Sequence, residues 1–305
     1  MQKLTASIFV LLIAAMAHGQ LEPLTNQYLF NTLSINPAYA GSRGALSVVM
    51  LHRNQWAGFE GAPKTVSIGL HAPTRNDRVG LGLLAVNDRR GISTSNIITG
   101  NFAFRIYSEK GVLSMGLAGG FTFARNDWNS LVAVDRTDDL FLVESRGYLL
   151  PDFSLGTYYQ SERFFFGLSL PMFLAHSFNP ASNTFNLENN YRAYNFFLNT
   201  GYLFKPSSTI KLLPSMLMRY NTGTKPQADL NLHLILLDLI QTGISYRSNR
   251  SVVGSLMYHV NNQLAIAYSY DLGFGKTGGY LGSSHEIMIR YDFRYVVDVM
   301  NPRYF

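Results

Sequence analysis

Hydrophobic and polar residues alternate along most of this chain with a period of two. Over Thr65 to Ala72, Val66, Ile68, Leu70 and Ala72 oppose Thr65, Ser67, Gly69 and His71. Met115, Leu117, Phe121 and Phe123 oppose Ser114, Gly116, Ala118, Gly120 and Thr122. The pattern recurs near the C-terminus, where Ile287, Ile289, Tyr291 and Phe293 oppose Glu286, Met288, Arg290 and Asp292. A strand with one apolar face gives this periodicity, because successive side chains point to opposite sides of a sheet.

Fourteen such segments follow one another: residues 45–53, 64–72, 79–87, 95–107, 112–125, 150–160, 164–173, 191–204, 210–220, 227–237, 240–248, 251–260, 263–271 and 284–293. Many reach about ten residues, the length a tilted strand needs to cross a bilayer. The connections give an independent check. Those at 73–78, 108–111, 161–163, 205–209, 238–239 and 261–262 are short, whereas those at 54–63, 126–149, 174–190 and 272–283 are long. Short turns at one rim, long loops at the other and an even strand number characterise bacterial outer-membrane barrels. The expected fold is therefore all-β: an antiparallel transmembrane β-barrel of fourteen strands, with short periplasmic turns and longer external loops. A secreted β-sandwich gives no reason for turn lengths to alternate. Aromatic residues near segment ends (Tyr107, Tyr158, Tyr159, Tyr202, Phe204, Tyr220, Tyr246, Tyr268, Tyr270, Tyr291 and Phe293) suit the interfacial girdles of a barrel.

Composition agrees. The 305 residues are 47% hydrophobic but only 14% charged, against about 25% charged in ordinary soluble domains. One face of each strand meeting lipid explains a normal apolar share with little charge. The absence of cysteine excludes disulfide scaffolds and Cys-ligated metal centres.

Lys3, the apolar run Ile8–Ala17 and the small residues around Ala17-His18-Gly19 form a secretory leader, with cleavage expected between Gly19 and Gln20. The run is too short to span a membrane, which takes about 20 apolar residues. The organisation read from the sequence is a signal peptide at 1–19, a periplasmic N-terminal segment or plug at 20–44, the barrel at 45–293 and a periplasmic tail at 294–305.

Chemistry-bearing motifs fail on their context. Gly80-Leu81-Gly82-Leu83-Leu84-Ala85 spells a dinucleotide fingerprint, yet it lies within a strand and opens no helix. Gly275-Lys276-Thr277 lacks the first glycine of a P-loop, and Ile289 stands where a zincin following His285-Glu286 needs its second histidine. No nucleophile–base pair or cofactor motif emerges, so an enzyme is not expected. The net charge of +6 is dispersed rather than clustered, which argues against nucleic-acid binding. His71, His233 and His259 fall on the inward faces. The inward charges Arg105, Arg219, Arg247 and Arg290 are expected to pair with Asp152, Asp229, Asp271, Glu286 and Asp292, because buried charge needs a partner. Such pairs fit plug-like packing and a selective pore equally.

Before the first strand, Asn36-Pro37-Ala38-Tyr39-Ala40-Gly41 reads as a rigid turn: proline fixes φ, Gly41 permits a positive φ and Asn36 caps. Together with Arg43 it either seals the barrel mouth or docks a partner. The first external loop carries Arg53, Gln55, Trp56, Phe59 and Lys64, and aromatics flanked by cations anchor protein partners. The same rings can fold inward as a lid.

Gln27–Gly44 (QYLFNTLSINPAYAGSRG) and Leu51–Lys64 (LHRNQWAGFEGAPK), with Asn87-Asp88, Ser284-His285-Glu286 and the terminal Asn301–Phe305, resemble the PorP/SprF family of type IX secretion membrane proteins. The resemblance is dense over 27–110, returns at 284–305, and rests on strand pattern between. It implies a non-enzymatic outer-membrane barrel of a Gram-negative bacterium, working with the periplasmic side of the secretion and gliding machinery. The client would be a large adhesin-like protein bearing a C-terminal sorting domain; membrane lipid and lipopolysaccharide would surround the wall. A substrate-specific porin for a small solute is the competing reading.

Overall fold

The computed structural model describes residues 25–127, 147–171, 175–179, 184–188, 194–221, 225–274 and 282–293. The leader, the position Gly19/Gln20, the tail after Phe293 and the first residues of the expected 191–204 strand lie outside the described residues.

Sixteen strands are present among the described residues: β1 (Leu46–Asn54), β2 (Lys64–Pro73), β3 (Val79–Arg90), β4 (Ser93–Ser108), β5 (Gly111–Asn126), β6 (Gly147–Gln160), β7 (Phe164–Leu170), β8 (Ala175–Asn179), β9 (Thr184–Glu188), β10 (Phe196–Tyr202), β11 (Ile210–Tyr220), β12 (Gln227–Leu236), β13 (Ile240–Arg247), β14 (Ser251–His259), β15 (Leu264–Gly273) and β16 (Ser284–Phe293). β8 and β9 pair only with each other. The other fourteen form one closed barrel in which each strand lies beside its neighbours in sequence, with β7 next to β10. β1 and β16 close it antiparallel, from Leu46 opposite Phe293 to Asn54 opposite His285. Closure satisfies every strand edge within the sheet, which lipid requires because it offers backbone groups no hydrogen-bond partner.

The fourteen expected segments coincide with the fourteen barrel strands, with differences at the ends. β3 and β4 run further than 79–87 and 95–107, so only residues 91–92 join them, with Gly91 at φ +55°. β10 starts at Phe196, and the expected 174–190 loop contains the β8–β9 hairpin. A hairpin of five-residue strands gives too few alternations to stand out from a polar loop. Residues 74–78, 109–110, 161–163, 203–209, 237–239 and 260–263 form a turn rim. The opposite loop rim carries 55–63, 91–92 and 248–250 together with the hairpin, while residues 128–146 and 275–281 of the expected long loops lie outside the described residues.

Side chains obey the alternation. In β2 the residues from Lys64 alternate exposed and buried through to His71. Outward Leu117, Ile98 and Ile244 are more than half exposed, as a wall facing hydrocarbon demands and a soluble core forbids. Outward rings meet in pairs at the rims, such as Tyr202 with Phe204 and Tyr291 with Phe293, each with centroids 4.6 Å apart. Two of the expected girdle tyrosines sit elsewhere. Tyr158 points into the lumen, 6% exposed, against Tyr39. Tyr107 lies over the Arg105 guanidinium, 5.3 Å from ring centroid to Cζ. Both occupy inward positions of their strands, so nearness to a strand end misassigned what parity would have placed.

Leu117 stands in the outer apolar band between its register partners Phe102 and Leu155. Leu117→Arg should cost about 2–4 kcal/mol near the middle of the bilayer, read as a lower urea midpoint for barrels refolded into lipid vesicles.

Candidate functional site

The lumen is occupied by the chain itself. Residues 25–44 thread it from the loop rim to the turn rim, where β1 begins. At the loop rim the Glu286 carboxylate accepts from the backbone N–H of Asn26 (2.7 Å) and Gln27 (2.8 Å), and Arg247 donates to Thr25 O at 3.4 Å. Midway, Asn231 donates to the Tyr28 hydroxyl at 2.7 Å and Ser169 to Ile35 O at 2.6 Å. Near the turn rim Asn36 Nδ2 donates to Thr157 O at 2.9 Å, and Gly41 N–H donates to His71 Nδ1 at 3.1 Å. Arg43 then holds both carboxylate oxygens of Asp292, donating from Nε at 3.0 Å and from Nη2 at 2.8 Å.

Local sequence explains this path. Asn36 Oδ1 accepts from Ala38 N–H at 3.0 Å, and Pro37 opens a 3-10 turn, Pro37–Tyr39. Gly41, at φ +76°, redirects the chain in a backbone region that favours glycine. Thr32–Ser34 forms another 3-10 turn. Such short turns keep the segment compact and meet its backbone hydrogen bonds internally, as a buried stretch requires.

The wall is shaped to receive it. A Cβ on Gly116 would stand 2.2 Å from Ala38 N, one on Gly156 2.1 Å from Asn36 Oδ1, and one on Gly80 2.0 Å from Ala40 O. Three of four consecutive strands, β3, β5 and β6, thus leave out side chains where the Asn36–Gly41 turn presses on the sheet. Gly80, the first glycine of the false dinucleotide fingerprint, serves this packing, whereas a Cβ on Gly82 would meet His71 and Asn101 of the adjacent strands. Elsewhere the segment is greasy and so is its seat. Leu33, Ala38, Tyr39 and Ala40 cluster with Ala103 and Tyr158. Tyr28 and Ile35 cluster with Phe197 and Leu217. Phe30 packs on Val49, Leu51, Met257, Ala265, Ala267 and Met288. Each large side chain fully buried is worth about 1.5–3 kcal/mol. Burial pushes the Tyr28 phenol above its usual range, with Asp229 adding to the effect, so it stays neutral. A cavity of about 120 Å³ remains between the segment and the wall, lined in part by Leu33, Asn36, Thr99 and Asp152.

Beside an Asp88–Arg90 pair at 2.6 Å on β3, charge in the lumen is organised into two groups. At the loop rim Arg53 contacts Asp271 and Glu286, both at 3.3 Å, and Arg247 contacts Asp229 at 3.1 Å and Asp271 at 3.4 Å. Arg219 reaches Asp229 at 3.6 Å. Three arginines face three carboxylates across six strands, and Asp229 and Glu286 are fully buried. Removing one partner from a buried ionic group costs about 3–5 kcal/mol, since the other charge is stranded. At the turn rim Arg290 (3.6 Å) and Arg43 (2.8 Å) share Asp292. Asp152 lies apart from both groups and accepts a hydrogen bond from Thr122. Arg105 also lies apart; it donates to Asp77 O at 3.2 Å, and among the described residues no carboxylate pairs with it.

The residues singled out as partner-facing separate by location. Asn36, Pro37, Tyr39 and Gly41 are buried in the lumen, and Arg53 is 4% exposed within the ion group. Trp56 and Gln55 are half-buried and Lys64 exposed, while Phe59 is 55% exposed at the loop rim. That loop is pinned: Trp56 N–H donates to Ser284 Oγ at 3.1 Å, Ala57 N–H to Ser283 O at 2.7 Å, and Gly91 N–H to Gly61 O at 2.8 Å. What the sequence reading missed is the apolar stretch of lumen beneath Phe30. Its signal was visible: in β1, Val48 and Val49, then Met50 and Leu51, make both faces apolar, which a water-lined lumen would not need.

The family described as type IX secretion system membrane protein PorP/SprF matches residues 17–291, most of the chain. The chain belongs to the PorP/SprF family. No curated protein matches it. Among solved structures this PorP/SprF barrel is similar to the monoaromatic hydrocarbon channel CymD, with a TM-score of 0.51 and 14% identity over 91% of this chain and 95% of that one. It is also similar to the outer membrane protein Omp33 of Acinetobacter baumannii, with a TM-score of 0.48 and 6% identity over 82% and 98% of the two chains. At such identities the CymD match speaks to fold alone: an outer-membrane barrel, agreeing with the family.

Gly116→Val should displace the Asn36–Gly41 turn, because no room exists for the added methyls. Trypsin should then cut at Arg43 at least tenfold faster while the barrel keeps its heat-modifiable mobility on gels. Gly100→Val is the control, since its Cβ would meet only Gly119 O at 3.8 Å.

Proposed function

We propose that this PorP/SprF barrel is a non-enzymatic anchor in the outer membrane of a Gram-negative bacterium. It supports type IX secretion or surface attachment of a large adhesin-like client, recognised through the client's C-terminal sorting domain. The observation that carries this reading is the occupied lumen. A segment hydrogen-bonded at both rims, packed on glycines and sealed by ion groups leaves the rims as the working surfaces.

In this reading residues 1–19 are removed before Gln20, and the turn rim and the tail from 294 face the periplasm and the secretion machine. The loop rim faces outward amid lipopolysaccharide. There Phe59 offers an exposed ring beside Trp56, Gln55 and Lys64, a combination suited to holding a protein. The pinned loop presents those rings at little ordering cost. The competing solute-channel reading needs a path through a lumen that the chain's own residues fill.

Two measurements separate them. In planar bilayers the native barrel should show little conductance, and Gly116→Val should open large, frequent channels. Robust small-solute flux through the native protein would sink the anchoring reading. In cells, a large surface protein should copurify with the barrel, and Trp56→Ala with Phe59→Ala should reduce its recovery at least tenfold without changing barrel abundance.

A further inference from the structure

Arg105 is the lumen arginine that the ion groups leave out. It is 7% exposed, on β4 near the turn rim. Its guanidinium donates once to Asp77 O and lies over the Tyr107 ring. What sets it apart is that no carboxylate among the described residues pairs with it; an Nε without a hydrogen-bond partner it shares with Arg53. Every other inward arginine named above has a carboxylate within 3.6 Å. A buried cation without a counter-charge is costly, so this one points to an anion supplied from outside.

The space for that anion exists. Arg105 lines an open cavity of about 250 Å³ at the turn rim, with Ser42 of the lumen segment, Ser114 and Val112 of β5, and Tyr158 of β6. Ser42 Oγ is likewise buried without a hydrogen-bond partner. Arg105, through its Nε, and Ser42, through its hydroxyl, thus bring two groups without hydrogen-bond partners to one cavity. The turn residue Glu162 stands exposed at the cavity's edge.

We infer that this cavity binds the carboxylate of a polypeptide end. Arginine's planar fork matches a carboxylate through paired N–H donors. One cation with a nearby Glu162 suits a monoanion better than a doubly charged phosphate. The volume lies below the roughly 300–1,000 Å³ of small-molecule sites, which leaves room for a chain end but not for a folded surface. Val112 and Tyr158 supply an apolar wall for the terminal side chain. That the guest is a polypeptide rests on the proposed function, in which the turn rim faces the secretion machine.

The test uses the purified full chain in detergent at neutral pH, with a fluorescently labelled alanine tetrapeptide carrying either a free C-terminal carboxylate or an amide. The acid should bind at least tenfold more tightly than the amide. Arg105→Gln should abolish the difference, Arg105→Lys should weaken acid binding at least several-fold, and Glu162→Gln should strengthen it. If Arg105→Gln does not fold, Arg105→Lys decides. Equal binding of acid and amide, or no binding of either, would overturn the inference. Weaker acid binding in Glu162→Gln would overturn it too, because removing a neighbouring negative charge must favour an anion held by Arg105. Phosphate competing better than acetate would also overturn it, reassigning the cavity to a phosphate group. Loss of client copurification with intact acid binding would count against the anchoring role while leaving the site in place.

Discussion

Lipid cannot hydrogen-bond a peptide group, and that constraint organises the whole molecule. Each of the fourteen barrel strands has both edges paired, and the β1–β16 register, Leu46 to Phe293 through Asn54 to His285, removes the last free edge. Once the sheet is closed, the period-two alternation acquires two different environments. The outer face is solvated by hydrocarbon, so Leu, Ile and Phe stand exposed there without penalty. The inner face encloses a space whose polarity the protein must manage from within.

The lumen is managed by filling it. The wall contributes glycines where the Asn36–Gly41 turn approaches, and apolar side chains where Tyr28, Phe30 and Leu33 lie. The ion groups lie at the ends, while Asp152 stands between them. The group around Asp229, Asp271 and Glu286 faces Arg53, Arg219 and Arg247 at the loop rim, and Asp292 holds Arg43 and Arg290 at the turn rim. Glu286 belongs to both systems: it pairs with an arginine of β1 and receives the first backbone N–H groups of the threaded segment. Charge pairing in the wall and seating of the segment are therefore one event. In the proposed function this fixed segment shifts the working surfaces to the rims, where one loop presents Phe59 and the opposite end carries the Arg105 cavity.

Much of this was legible beforehand. Strand number, membership and facing followed from alternation, and the inward position of Asp229, Arg247, Asp271, Glu286, Arg290 and Asp292 followed with it. The turn at Asn36–Gly41 was legible because Pro37 and Gly41 have few backbone options. Pairings were not. Arg53 sits at the end of β1, and as a sequence it belongs as well to the loop as to the wall; only the register opposite Glu286 sends it inward. Tyr158 and Tyr107 were misplaced because position along a strand outweighed parity.

By itself the sequence determined the architecture: a membrane-crossing antiparallel barrel, its wall faces, its turn chemistry and its family. These follow from local rules, since a side chain's face and a turn's φ depend on immediate neighbours. The tertiary structure decided which charges meet, which arginine is left over and where residues 25–44 lie. Those depend on contacts between residues as distant as Gln27 and Glu286, and shear and closure of the sheet set such contacts rather than any local pattern. Gly116 and Gly156 show the difference: each satisfies the alternation like any small residue, and only the threaded segment gives the missing Cβ a reason.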